Sequence, residues 1–325
     1  MRYLIKTNSS ADTQTALNDG ILGKPYVALV SGSTLDYNTL SPIEYNTIPL
    51  TFEVISGGTI SWKTSYFLLT KTISYSLDSG INWTEITSTT EGVSFNVSAG
   101  DKVMFKGDNT AYGDSGNYNC FGGTAKFNAY GNIMSLIGGD NFSGLTSLSS
   151  AYTFLGLFED CTVLISAKNL ILPATTLTNL CYKEMFYGCT SLTAAPELPA
   201  TALKSSCYKE MFRGCTSLTV APELPATSVV NESCYEMFRG CTSLTTAPVL
   251  NFTKMSNQTC YQMFANCSSL NYIKCLSTDI SAVQATDYWV AGVASTGTFV
   301  KNPSMNDWTT GVSGIPEGWT VIDAS

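Results

Sequence analysis

Two cysteines eight residues apart raise the question of chemistry: "CYKEMFYGC" runs from Cys181 to Cys189, and "CYKEMFRGC" from Cys207 to Cys215. Shortened copies run from Cys234 to Cys241 and from Cys260 to Cys267. Thiols in such pairs can be disulfides, metal ligands, nucleophiles or core. No C-x-x-C occurs, so the spacing is not that of a zinc knuckle. Two thiols about two helical turns apart cannot bond within one copy. The 325 residues contain no histidine, which removes Cys-His and Ser-His nucleophilic pairs and His-ligated zinc. Eleven cysteines leave an odd one in any full pairing. We therefore expect a ladder of reduced, buried thiols acting as small hydrophobes, with some disulfides between neighbouring copies as the alternative. No metal or cofactor is expected.

Carboxylates remain as acid–base groups. Glu197 and Glu223 occupy equivalent positions in successive copies, which makes a solvated row and not a pair facing across a cleft. "SLDSGINW", Ser76 to Trp83, fits the S-x-D-x-G-x-x-W box that resembles a structural hairpin of sialidases and related β-propellers. One copy predicts a local turn, with Asp78 bonding nearby backbone and Trp83 packing beneath. "GDNTAYGDSGN", Gly107 to Asn117, misses calcium-loop spacing and reads as a mobile loop. No enzyme is expected.

The elements that carry the thiols recur. Met185, Met211, Met237 and Met263 are 26 residues apart, as are Leu192, Leu218, Leu244 and Leu270. A fixed period of this size means stacked units that bury apolar faces against their neighbours. Cys181, Tyr182, Met185 and Phe186 predict a helix of about two turns. Asn179, Ser206, Ser233 and Thr259 are candidate N-caps. Gly188, Gly214, Gly240 and Asn266 stand where a left-handed residue would close it. A short strand and a proline-rich return should follow. Thr193, Thr219, Thr245 and Asn271 then make a solvent-facing ladder, spaced about 4.8 Å in a parallel sheet. Arg213 and Arg239 form a second candidate binding row.

The pattern F-x-x-C-x-x-L at Phe186-Cys189-Leu192, Phe212-Cys215-Leu218, Phe238-Cys241-Leu244 and Phe264-Cys267-Leu270 resembles the BspA-type leucine-rich repeat. Phe158-Cys161-Leu164 is a looser copy. Such repeats occur in surface proteins of gut bacteria and in fibre or decoration proteins of their crAss-like phages. The resemblance covers about residues 140–325. It implies a solenoid and a binding or adhesion role, and brings no catalytic residues.

Apolar alternation between Pro49 and Tyr130 predicts strands, with "SAGD" (Ser98 to Asp101) as a hairpin turn. The expected fold is mixed β and α/β. An N-terminal anchoring arm (1–48) leads into a small β-sandwich (49–135), a leucine-rich-repeat solenoid (136–275) and a C-terminal cap (276–325). Hydrophobic residues at 44% against 13% charged leave a surface of Ser, Thr, Asn and Gly, which suits this architecture. A net charge of −8 with no basic tract argues against nucleic acid. The opening 20 residues contain no apolar core of 7–15 residues, so no secretory signal is expected. The functional expectation is a virion structural protein assembled in the host cytoplasm, attaching to host-surface glycan or protein through the repeats. Its arm would dock on other virion subunits, and a homo-oligomer is expected. A bacterial cell-surface adhesin is the alternative, and a glycan-active enzyme a remote one.

Overall fold

The structure, a computed structural model, describes residues 45–325. The arm expected over residues 1–48 therefore lies, apart from Tyr45 to Ile48, outside the described residues. The fold is β-rich with very few helices.

Apolar alternation yields β1 (Leu50–Ser56), β2 (Gly58–Thr64), β3 (Thr72–Ser76), β4 (Thr84–Thr87), β5 (Val93–Val97), β6 (Lys102–Lys106), β7 (Asn119–Gly123) and β8 (Lys126–Asn132). β9 (Leu164–Ile171) completes a six-stranded sheet of order β4-β3-β6-β1-β8-β9, and β5-β2-β7 form a second sheet. Alternate side chains fall on one face, so Phe52 and Phe105 meet Phe121 of the smaller sheet, each at 4.9 Å between ring centroids.

Two loop expectations change. Ser98 to Asp101 is a corner between sheets, not a hairpin: β5 pairs with β2, whereas β6 pairs with β1 and β3. The Ser98 N–H donates to Asp101 Oδ2 at 2.8 Å, and the Gly100 N–H to the Val54 carbonyl at 2.8 Å. The segment from Gly107 to Asn117 is pinned, because fully buried Tyr112 donates its hydroxyl to the Leu136 carbonyl at 2.6 Å.

A one-turn helix, α1 (Ser135–Gly138), leads into the copies. β9 pairs in parallel with β8, so backbone hydrogen bonding crosses the boundary expected between residues 135 and 136.

The predicted two-turn helices are absent. From Leu180 to Cys189 the chain is a string of tight turns with left-handed residues every fourth position, Leu180 (φ 60°), Glu184 (φ 56°) and Gly188 (φ 68°). Odd-numbered amides close these turns locally: Met185 N–H donates to Tyr182 O at 3.3 Å, and Cys189 N–H to Phe186 O at 3.2 Å. Even-numbered amides leave the copy. Glu184 N–H donates to Lys209 O, Phe186 N–H to Met211 O and Gly188 N–H to Arg213 O, at 2.8 to 2.9 Å. The pattern repeats through Gln258, Gln262 and Asn266. An i, i+4, i+5 apolar spacing fits a four-residue turn period as well as a 3.6-residue helix, and the hydrogen bonds between copies select the former. Ser233 and Thr259 do not cap forward; their hydroxyls bond back to Val230 and Ser256.

After Leu192, Leu218 and Leu244 the expected strand is also shortened. Val220, Thr246 and Tyr272 make isolated parallel bridges, and only the last copy extends into β10 (Tyr272–Cys275). Pro196, Pro222 and Pro248 lack the N–H that a ladder needs two residues further on. Lys274 holds that position in the last copy and supplies one. β10 continues in parallel to β11 (Thr298–Lys301) and β12 (Thr320–Asp323).

Candidate functional site

Thr193, Thr219, Thr245 and Asn271 are all solvent-exposed beside the bridged positions. Three of them tie neighbouring copies. Thr193 donates its N–H and its hydroxyl to the Ile165 carbonyl, at 2.9 and 2.8 Å, and the Asn271 N–H reaches Thr245 O at 3.1 Å. The row is a polar surface, with no carboxylate pair and no buried acid.

Arg213 and Arg239 lie on the turn side. Arg213 Nη1 is 2.7 Å from Glu210 and 2.8 Å from Glu236, whose carboxylate is also 2.9 Å from Arg239 Nη1. The guanidiniums thus sit in an alternating charge chain, and Arg213 additionally covers the Tyr187 ring at 5.4 Å. They border a shallow groove of about 380 Å³ along Gly188, Gly214 and Gly240, and none of the four threonine-row residues lines it. The two candidate rows are separate surfaces.

All eleven cysteines are free and buried. Cys189, Cys215, Cys241 and Cys267 form one ladder, each thiol 3.0 to 3.1 Å from the carbonyl of Phe158, Phe186, Phe212 or Phe238. Each of those carbonyls also accepts a turn amide, so the thiol serves its second lone pair. Cys181 and Cys207 share an inward row with Ser233 and Thr259, while Cys234 and Cys260 occupy the row that Tyr182 and Tyr208 hold in earlier copies. Burial pushes the Cys181 and Cys267 thiols up to about 12 and Cys241 well above its ordinary value. A thiol so placed stays protonated at neutral pH, and only the thiolate attacks or ligates. Among the described residues no His/Cys/Asp/Glu cluster could hold a metal ion, and no helix is long and apolar enough to cross a membrane.

Asp78 is used locally. It accepts the Ser76 hydroxyl at 2.8 Å and the Asn82 N–H at 2.9 Å, and these bonds, with the Asn82 backbone first, hold its carboxyl down to about 2. Trp83 donates to Gly80 O at 3.0 Å beneath the turn.

Glu159 carries no motif, yet its carboxyl is strongly perturbed. Burial, then the neighbouring Glu184 charge, pushes it up to about 7, and its Oε2 has no hydrogen-bond partner among the described residues. The signal in the sequence is positional: the residue after each phenylalanine is Tyr187, Arg213, Arg239 and Ala265 in later copies, so the first copy alone puts an acid there.

No protein-family model, curated protein or solved structure matches this chain.

Proposed function

We propose that residues 136–275 are a leucine-rich-repeat solenoid, closed by a cap over 276–325, and that the chain is a non-enzymatic virion structural protein attaching to a host surface through its repeats. What supports the reading is the exposed row Thr193, Thr219, Thr245 and Asn271, held in register by bonds between copies. A row bonded between copies at Thr193, Thr245 and Asn271 is pre-organised there, so little ordering entropy is lost when it meets glycan or protein. On this reading residues 1–48 dock on other virion subunits, and the protein works as a homo-oligomer assembled in the host cytoplasm. A glutamate in place of Thr219 and Thr245 places two charges on the row without touching the core. Thr219→Glu/Thr245→Glu should abolish attachment of particles or purified protein to host cells while the melting temperature holds. Unchanged attachment would remove the row from the binding role. Protein present on cells and on no purified particle would favour the adhesin reading.

A further inference from the structure

A second concave site lies where the six-stranded sheet meets the first copy. β9 and the residues after it, Leu170 to Pro173, form one wall of a cleft of about 580 Å³; Ala195, Glu197 and Pro199 form the other, and Tyr45 and Asn46 close one end. That volume falls within the ~300–1,000 Å³ of small-ligand sites. Its surfaces are of two kinds. Ile171, Pro173 and Pro199 give rigid apolar faces. Lys168, Asn169 and Glu197 add polar groups to the lining. Asn46 is fixed by the Asn132 amide, at 2.6 Å to its side chain, and the Asn169 amide nitrogen is 3.4 Å from the Tyr45 hydroxyl, while the Asn169 amide oxygen has no partner among the described residues. Neither the Lys168 ammonium nor the Glu197 carboxylate has a partner among the described residues. The charges on the turn side, by contrast, are paired: Lys183 with Glu184, Lys209 with Glu232, Arg213 with Glu236.

We propose that this cleft binds a short neutral saccharide. A hexose presents an apolar C–H face and a rim of hydroxyls, which is the complement of rigid apolar walls edged by an amide oxygen, a carboxylate and an ammonium. One cation and one anion cancel, so the cleft favours no anionic polymer, and a chain of net charge −8 disfavours one further. Cleavage is not part of the assignment. A glycosidase needs two carboxyl groups flanking the bond, and among the described residues Glu197 is the only carboxylate lining the cleft.

The test uses the full chain and saturation-transfer NMR with maltose, cellobiose, lactose and N,N'-diacetylchitobiose. At least one disaccharide should receive saturation. Glu197→Ala should weaken its binding at least tenfold, and Ala195→Trp, which fills the cleft, should abolish it. Glu223→Ala, the equivalent position one copy on and outside the cleft, should leave it unchanged. All of these positions are at or near the surface, so melting curves should superimpose. No transfer to any of the four sugars, or binding indifferent to Glu197→Ala and Ala195→Trp, would overturn the proposal. Host attachment is not read in this experiment, so either conclusion can fail without the other.

Discussion

Glu159 shows how one side chain inherits its properties from its place in a row. It flanks left-handed Gly156 together with Tyr118, whose ring and the Glu159 Oε2 would lie 2.6 and 3.0 Å from any β-carbon there. Glu184, Asp160, Lys183 and Tyr118 face it, and the single nearby cation, Lys183, is already 3.0 Å from Glu184. Its carboxyl is raised from an ordinary 4.5 to about 7, so the folded state holds the proton more tightly than the unfolded chain. The stabilisation this contributes is fully present below pH 4.5 and is lost as pH rises through 7. Wild-type protein should therefore lose melting temperature between pH 5 and pH 8 relative to Glu159→Gln, which stays protonated-like throughout. Parallel curves for the two proteins would mean that the carboxyl titrates normally.

The turn string explains which residues the copies tolerate at their left-handed positions. A non-glycine residue there costs roughly 1–2 kcal/mol, yet Glu184, Glu210, Glu236 and Gln262 all adopt it. The amide of each is bonded to the next copy, as is that of Gly240, so the conformation is held in place at every one of these positions. At the third left-handed position, Gly240 (φ 75°) has space: an added β-carbon would stop 3.9 Å from Gly214, an ordinary contact. Backbone conformation alone therefore selects glycine. Gly240→Val, with a β-branched side chain at φ > 0, should destabilise by more than about 1 kcal/mol, while Asn266→Gly should be neutral or mildly stabilising. Urea melts of both variants measure this, and equal shifts would contradict it. The register slip between the second and third copies works at the same scale. Cys207 lies four residues before Met211 and Cys234 three before Met237, so the second thiol enters the row of Tyr208. Tyr235 and Tyr261 move outward, where they stack at 4.8 Å and Lys209 covers Tyr235 at 4.1 Å.

For the whole molecule the decisive feature is continuity. One buried cluster runs from Leu50 to Trp319. Phe158 joins its halves, with ring centroids 5.9 Å from Phe52, 5.6 Å from Phe121 and 5.3 Å from Phe186. The column continues through Phe212, Phe238 and Phe264 at 5.4 to 5.8 Å. Truncating such a ring costs about 3–5 kcal/mol, and here the loss falls on both sides of residue 136. Calorimetry should give one unfolding transition for the wild type, and one at lower temperature for Phe158→Ala. Two transitions, only one of them moved by the substitution, would show that the two N-terminal sheets and the copies fold separately.

The 26-residue period, the strand-forming alternation after Pro49 and the inward set of Met, Phe, Cys and Leu are local facts, and the chain states them by itself. Gly188, Gly214, Gly240 and Asn266 likewise announce positive φ, because Gly and Asn adopt it at least cost, whereas Glu184, Glu210, Glu236 and Gln262 adopt it with no such signal. What local pattern cannot state is where a backbone amide finds its partner. Phe186 N–H bonds Met211 O across a whole copy and not a carbonyl one turn back, and that choice turns an expected helix into stacked turns. β9 crossing to β8, the corner at Ser98 to Asp101 and the perturbed Glu159 have the same origin. Each depends on residues distant in sequence, and only the tertiary structure brings them within bonding reach.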